Sequence, residues 1–439
     1  MSKRETWKTL AIEGAYRSGV FRVGRLARKD SLTVLCYHRF TEDPKPRSAA
    51  LPIRLFERHL LYLRKHFTPI SFRELEAIKR GTLSVSSPLI LTVDDGYEDF
   101  LTFALPALKK HQFPVTLFVT TRFLDGEIWL WPDAIHYAIA RTKQKRLFLP
   151  DFRLSLSLGN MQEKTTACKL LHNFFKQLQA SAHAPFFAGL SEALQVEIPD
   201  FPTAEYRPAR WPDLKEAQKD LVTIGSHTLN HRILSHLSSE EARTEISHSK
   251  RRIEAELDEE VIAFSYPNGM RGDYRECDKE SIRKSGYLFA ATCNFGVNWL
   301  ASDPLELNRI VAPYEVASFA REVSGFELLV HKNSSCANHA LYGNKKSSRS
   351  IVAMCDDESC EKWDAFIMSQ PDATIFHRYD WKRVFEQAYR NRCFYLLAEE
   401  KHSPVGALPL VFKNSRVFGR FLVSLPYFDH AGLCASREE

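Results

Sequence analysis

The stretch that most limits the possible folds is Pro88-Leu89-Ile90-Leu91-Thr92-Val93, an apolar run of strand length that stops at Asp94-Asp95-Gly96. Neighbouring side chains on a strand point to opposite faces, so a strand buried on both sides does not carry two adjacent acids. At the strand's C-terminal mouth the backbone turns, and both acids can face one pocket. Side-by-side carboxylates repel unless a cation or a proton relieves them. A divalent metal held by one acid leaves the other free as a base. The same residues also read as an Asp-Gly turn opening a helix.

The chain around this stretch alternates. Ser31-Leu32-Thr33-Val34-Leu35-Cys36-Tyr37-His38 reads as a first strand, ending in a histidine. Ile53, Phe56, Leu60, Leu63 and Phe67 form a helical stripe, and a helix over 100–111 precedes the strand at 114–119. Further strands are predicted at 220–225, 260–266, 287–291 and 307–311, with Ser238-Ser239-Glu240-Glu241 as a capping box opening a long helix. About seven βα units predict an α/β domain over 31–330, a distorted (β/α) barrel whose active residues lie at strand C-terminal ends.

Residues 125–205 break the rhythm and read as an insertion, helical over 163–197. Its Trp129 and Trp131 suit core packing better than stacking on a sugar. Residues 331–350 are polar and read as a linker, and 351–439 change grammar to α+β: helices near 359–369 and 380–390, then three apolar strands. Residues 1–30 alternate apolar and basic side chains, as an amphipathic helix packed on its own domain or making peripheral membrane contact.

Composition narrows the function. A net charge of +6 over 439 residues, with no basic block interleaved with aromatics, argues against nucleic acid. Nine cysteines, odd in number and without a C-x-x-C pair, read as reduced thiols. No secretory signal and no run of roughly 18 apolar residues is visible, which predicts a cytoplasmic protein, at most associated with the inner membrane face.

A second motif, Ser226-His227-Thr228-Leu229-Asn230-His231, follows another strand end and can present two imidazoles to one point. Imidazole nitrogen with carboxylate oxygen suits zinc or a similar divalent ion. Thr92-Val93-Asp94-Asp95-Gly96-Tyr97 followed by this motif, with Phe264-Ser265-Tyr266-Pro267-Asn268-Gly269 as a third and Cys36-Tyr37-His38-Arg39 at the opening, resembles the polysaccharide deacetylases, the NodB-homology family. The resemblance covers about residues 30–330. It implies a seven-stranded distorted barrel and metal-dependent removal of N-acetyl groups from a polysaccharide.

On that resemblance Asp94 is the general base, and Asp95, His227 and His231 are the ligands of a divalent metal, with Zn2+ the expected ion. Tyr266 and Pro267 are expected at the oxyanion and substrate. Two departures stand out. Where many members have an arginine beside the base this chain has Ser265, and Arg309 is expected to supply that cation from another strand end. The family's late Leu-x-His histidine has its nearest match in Leu328-Leu329-Val330-His331, and His38 is the other candidate for the pocket.

The tail, with Trp363-Asp364-Ala365-Phe366 and Val405-Gly406-Ala407-Leu408-Pro409-Leu410, resembles the start of a FemAB-like acyltransferase of the GNAT fold; it is expected to be incomplete and inactive. The implied function is N-deacetylation of a glycan in exopolysaccharide or cell-envelope metabolism, with an N-acetylated polysaccharide or oligosaccharide as partner. A non-catalytic glycan-binding module and an O-acetyl esterase are the alternatives.

Overall fold

A computed structural model describes residues 12–13, 16, 21–44, 50–178, 182–325, 351–355, 360–370, 373–400, 403–415, 419–424 and 434–435. The chain divides into two compact units, Ala15–Val330 and a second that holds the described residues from 351 onward.

The first unit is built on seven parallel strands: β1 (Thr33–Tyr37), β2 (Pro88–Val93), β3 (Val115–Val119), β4 (Val222–Ser226), β5 (Ala263–Ser265), β6 (Phe289–Phe295) and β7 (Leu307–Val311). Each pairs with the next around the ring, and β1 closes it by pairing with both β2 (Val34↔Ile90) and β7 (Leu35↔Ile310). Closure removes the exposed edges an open sheet would leave. The distortion is local: β4 and β5 share one residue pair, Phe264↔Ser226, and the β6–β7 register shifts between Ala291 and Phe295.

Alternation along the strands builds the interior in layers. The floor is apolar: Val34, Ile90, Phe118, Ala263, Phe289, Ala291 and Leu307 form one buried cluster with Phe72 and Leu75. Two residues further along, the same strand faces carry Cys36, Thr92, Ser265, Cys293 and Arg309. The interior thus turns polar toward the strand C-termini, where the site lies. The long helix α1 (Ser239–Leu257), between β4 and β5, starts at the expected capping box: Ser238 Oγ accepts from the Glu241 amide, and the Glu241 carboxylate accepts from the Ser238 amide.

The inserted region holds helix α2 (Trp131–Arg141), an antiparallel hairpin (Arg146–Leu149 with Leu154–Ser157) that periodicity did not reveal, and two further helices, Met161–Phe175 and His183–Leu194. It has its own core, including Ile135, Leu147, Leu171, Phe186 and Leu190. The Trp131 ring stacks on Phe175 at 4.8 Å, and Trp129 meets Tyr137 and Tyr206 edge-on, so both tryptophans pack internally.

Near the N-terminus, helix Phe21–Ala27 is followed by Arg28, which is buried and donates to the Ser324 carbonyl and Thr33 Oγ1; this described part packs on the barrel. Among the described residues no helix is long and apolar enough to cross a membrane, and all eight described cysteines are free thiols. The linker and His331 lie outside the described residues.

The second unit has helices Cys360–Ser369 and Asp380–Gln387 against a sheet in which Arg392–Glu400 pairs antiparallel with Ile351–Met354 and Ser403–Ser415, and the last of these with Gly419–Val423 and Cys434–Ala435. Trp363, Tyr379, Tyr395 and Phe385 centre its core.

Candidate active site

The two acids after β2 part company. Asp94 continues the strand's inward face, and its amide donates to the Tyr37 carbonyl of β1 at 2.9 Å. Asp95 takes a left-handed backbone (φ 80°), which swings its carboxylate toward the loop after β4. A non-glycine residue held there stores backbone strain, which the surrounding structure must offset.

Asp94 is 1% exposed and faces Arg309, which is fully buried. The guanidinium grips the carboxylate with both arms: Nη1 to Oδ1 and Nη2 to Oδ2, each 2.7 Å. Its Nε donates to the Thr292 carbonyl at 2.8 Å, and Nη2 also donates to Ser265 Oγ at 3.0 Å. Ser265, standing where an arginine was expected, donates its own hydroxyl to Asp94 Oδ2 at 3.3 Å. Burial alone would raise the Asp94 pKa, but the Arg309 guanidinium holds it well below the usual carboxylate range. Asp94 is therefore an ionised, acceptor-only group at neutral pH.

Asp95 Oδ1 lies 3.7 Å from His227 Nε2 and 3.5 Å from His231 Nε2. The three candidate ligand atoms all lie within 4.8 Å of one another. A tetrahedral zinc ion with bonds of ~2.1 Å sets its ligands about 3.4 Å apart, which the two carboxylate–imidazole edges nearly match. The His227 Nδ1–H donates to the Ser265 carbonyl at 2.8 Å, which fixes the tautomer and turns the Nε2 lone pair to the triangle. Burial, then neighbouring His227, push the His231 imidazole down to about 4, so it is neutral at pH 7, as a ligand must be. Asp95 Oδ1 is buried and, among the described residues, has no hydrogen-bond donor. An orphaned carboxylate oxygen facing two imidazole nitrogens suits a divalent cation, so the residues fit the expected ion.

His38, at the end of β1, is exposed, with Nδ1 3.9 Å from Cys36 Sγ, and that thiol is 3.7 Å from Asp94 Oδ2. His38 thus lies at the mouth beside the base. The Tyr266 amide, the expected oxyanion donor, is already taken: it donates to the Ala291 carbonyl of β6, and the Tyr266 hydroxyl donates to the Leu305 carbonyl. The pairing of β5 with β6 consumes the donor.

Sequence reasoning missed Glu245 on α1. It is 2% exposed, and its carboxylate accepts from the amides of Leu229 and Asn230 at 3.0 and 2.9 Å and from Asn230 Nδ2 at 2.7 Å. A signal existed: Glu245 falls among Ala242, Ile246, Ser249 and Ile253 on the buried stripe of an otherwise charged helix.

Comparison with known proteins adds the family. Residues 85–143 and 169–288 match the family model described as polysaccharide deacetylase. Among solved structures, the chain is similar to the Streptococcus pyogenes deacetylase PplD in complex with acetate (20% identity, TM-score 0.44, 68% of this chain and 97% of that one). It is also similar to IcaB from Ammonifex degensii (19%, 0.44, 66% and 97%) and to a de-N-acetylase from Aggregatibacter actinomycetemcomitans (14%, 0.42, 65% and 97%). A search of curated proteins found no match. The barrel unit, with its closed seven-stranded ring, contains both of the segments that match the polysaccharide deacetylase family model.

Proposed function

We propose that the barrel hydrolyses N-acetyl groups on a polysaccharide or glycan precursor and depends on a divalent metal held by Asp95, His227 and His231. The observation that carries this reading is the convergence of Asp95 Oδ1 with two imidazole Nε2 atoms, at 3.7 and 3.5 Å, beside a carboxylate that a buried guanidinium keeps ionised. A divalent ion, zinc by its donor set, supplies Lewis-acid polarisation of the acetamide carbonyl and a more acidic water.

The chain's own residues do the rest. Asp94, acceptor-only and aimed into the mouth, takes the proton of the attacking water as general base. Arg309 fixes both carboxylate oxygens, so the base cannot rotate away. Ser265 hydrogen-bonds to both partners of this pair. His38, at the mouth and within reach of solvent, is the candidate to protonate the departing amine. The lack of an arginine at position 265 motivates the alternative of a binding-only module; the Arg309–Asp94 pair supports catalysis instead. We read the second unit as FemAB-like in fold. Location at the inner membrane face, on lipid-linked precursors, fits this reading.

Acetate release from defined N-acetylhexosamine oligomers, with and without chelator, tests the assignment. Metal-replete protein should release acetate, chelator should stop it, and zinc should restore it. Release that chelator leaves untouched, or no release from any oligomer, refutes the reading. Release only from O-acetyl esters would make the protein an esterase.

A further inference from the structure

The two metal-facing histidines are held in different ways. His227 is fixed through its own ring by the Nδ1–H bond to the Ser265 carbonyl. His231 has no such anchor: its Nδ1 is buried and, among the described residues, has no hydrogen-bond partner. The direction of its ring is therefore set by the backbone of the loop, and that backbone is strained. Thr228 and His231 both sit in the left-handed region, at φ 69° and 54°.

The loop's polar groups are clamped from two sides. The carbonyls of Thr228 and Leu229 accept from the amides of Thr121 and Arg122, at 3.2 and 3.1 Å. The amides of Leu229 and Asn230 both donate to Glu245 Oε2, and Asn230 Nδ2 donates to Oε1. Asn230 Oδ1 accepts from Arg122 Nη1 at 3.0 Å, which ties the Asn230 side chain into the same network. The His231 amide itself donates to Thr228 Oγ1 at 3.0 Å. A buried carboxylate accepting charge-assisted bonds from two consecutive amides stabilises that local conformation strongly, because the alternative leaves the carboxylate unpaired in the interior.

We propose that Glu245 is a positioning residue for the metal centre, holding the 228–231 loop so that His231 is aimed at Asp95, while His227 is held separately through the Ser265 carbonyl. The inference rests on the metal reading above and deepens it. It predicts that changes at Glu245 act through one ligand of the three.

The test is calorimetric titration of the metal-stripped full-length chain with Zn2+. Glu245→Gln should weaken zinc binding by about 10- to 100-fold. Glutamine offers one acceptor where glutamate offers two, so its amide would face Asn230 Nδ2 donor to donor. Glu245→Gln combined with Asn230→Asp restores a donor–acceptor match and should recover most of the affinity. Two further backgrounds separate positioning from the loss of a nearby negative charge. In His231→Ala the same Glu245→Gln change should leave the remaining affinity unaltered, whereas in His227→Ala it should still weaken it. Wild-type affinity in Glu245→Gln, or equal losses in both backgrounds, overturns the proposal. If the wild-type chain itself binds no divalent ion, it is the metal reading that fails, and the Glu245 proposal falls with it.

Discussion

Replacing Arg309 with methionine removes the cation from the buried pair while keeping much of the side chain's length. The guanidinium makes two 2.7 Å bonds to Asp94, one to the Thr292 carbonyl and one to Ser265. Without it, Asp94, 1% exposed, keeps, among the described residues, the Ser265 hydroxyl at 3.3 Å and the Cys36 thiol at 3.7 Å as donors to its carboxylate. Charge-assisted bonds contribute about 1.5–3 kcal/mol each, so the two that grip the carboxylate amount to roughly 3–6 kcal/mol. Breaking one side of a buried ion pair costs about 3–5 kcal/mol by a separate route, and the two agree. We therefore expect Arg309→Met to lose about 3–5 kcal/mol in urea denaturation of chelator-treated protein at pH 7. The loss arises from a stranded charge, so Asp94→Asn in the same chain should recover most of it. A loss below about 1 kcal/mol, or a double variant no more stable than Arg309→Met alone, would refute the reasoning.

Asp94→Asn in the wild-type background should lower kcat about 10²- to 10⁴-fold while zinc content, measured by elemental analysis, stays at the wild-type level; loss of both together would make Asp94 a ligand instead. A pH effect follows from Asp133 on α2, whose carboxyl accepts from the Tyr97 hydroxyl at 2.5 Å. Burial pushes its pKa up to about 7, against the pull of Arg39 and that hydroxyl. The folded chain thus binds this proton more tightly than the unfolded one, so the contribution to stability is full in acid and is lost as pH rises through about 7. Asp133→Asn should flatten the fall in Tm between about pH 4 and about pH 7; an unchanged slope would count against it. Gly225, just before the second motif, has no room for a side chain: an added Cβ would overlap the Phe118 ring and lie 3.0 Å from the Ala263 carbonyl. Gly225→Ala should therefore cost about 1–3 kcal/mol of stability, read by urea denaturation, and shift His227 with it.

Much of the barrel was legible in the chain because its signals are local. Apolar runs at 33–37, 88–93, 115–119 and 222–226, separated by helical stripes, encode parallel βα units without reference to distant residues. The insertion's hairpin was not legible. Arg146–Leu149 and Leu154–Ser157 are two short four-residue strands flanked by helix, and the sheltering core at Leu147 and Leu149 comes from helices elsewhere in the insertion.

By itself the sequence determined which residues arrive at strand ends, Asp94 and Asp95 after β2 and the two histidines after β4, whereas Arg309 lies within β7. Only the tertiary structure decided what those residues do there. The register of β7 against β1 and β6 carries Arg309 onto a carboxylate 215 positions away, and the pairing of β5 with β6 takes the Tyr266 amide out of the site. A helix packed beneath the second motif likewise supplies the Glu245 carboxylate that orders it. Strand ends follow from nearest-neighbour patterning along the chain, whereas hydrogen-bond partners depend on which backbone and side-chain groups closure of the ring brings within about 3 Å.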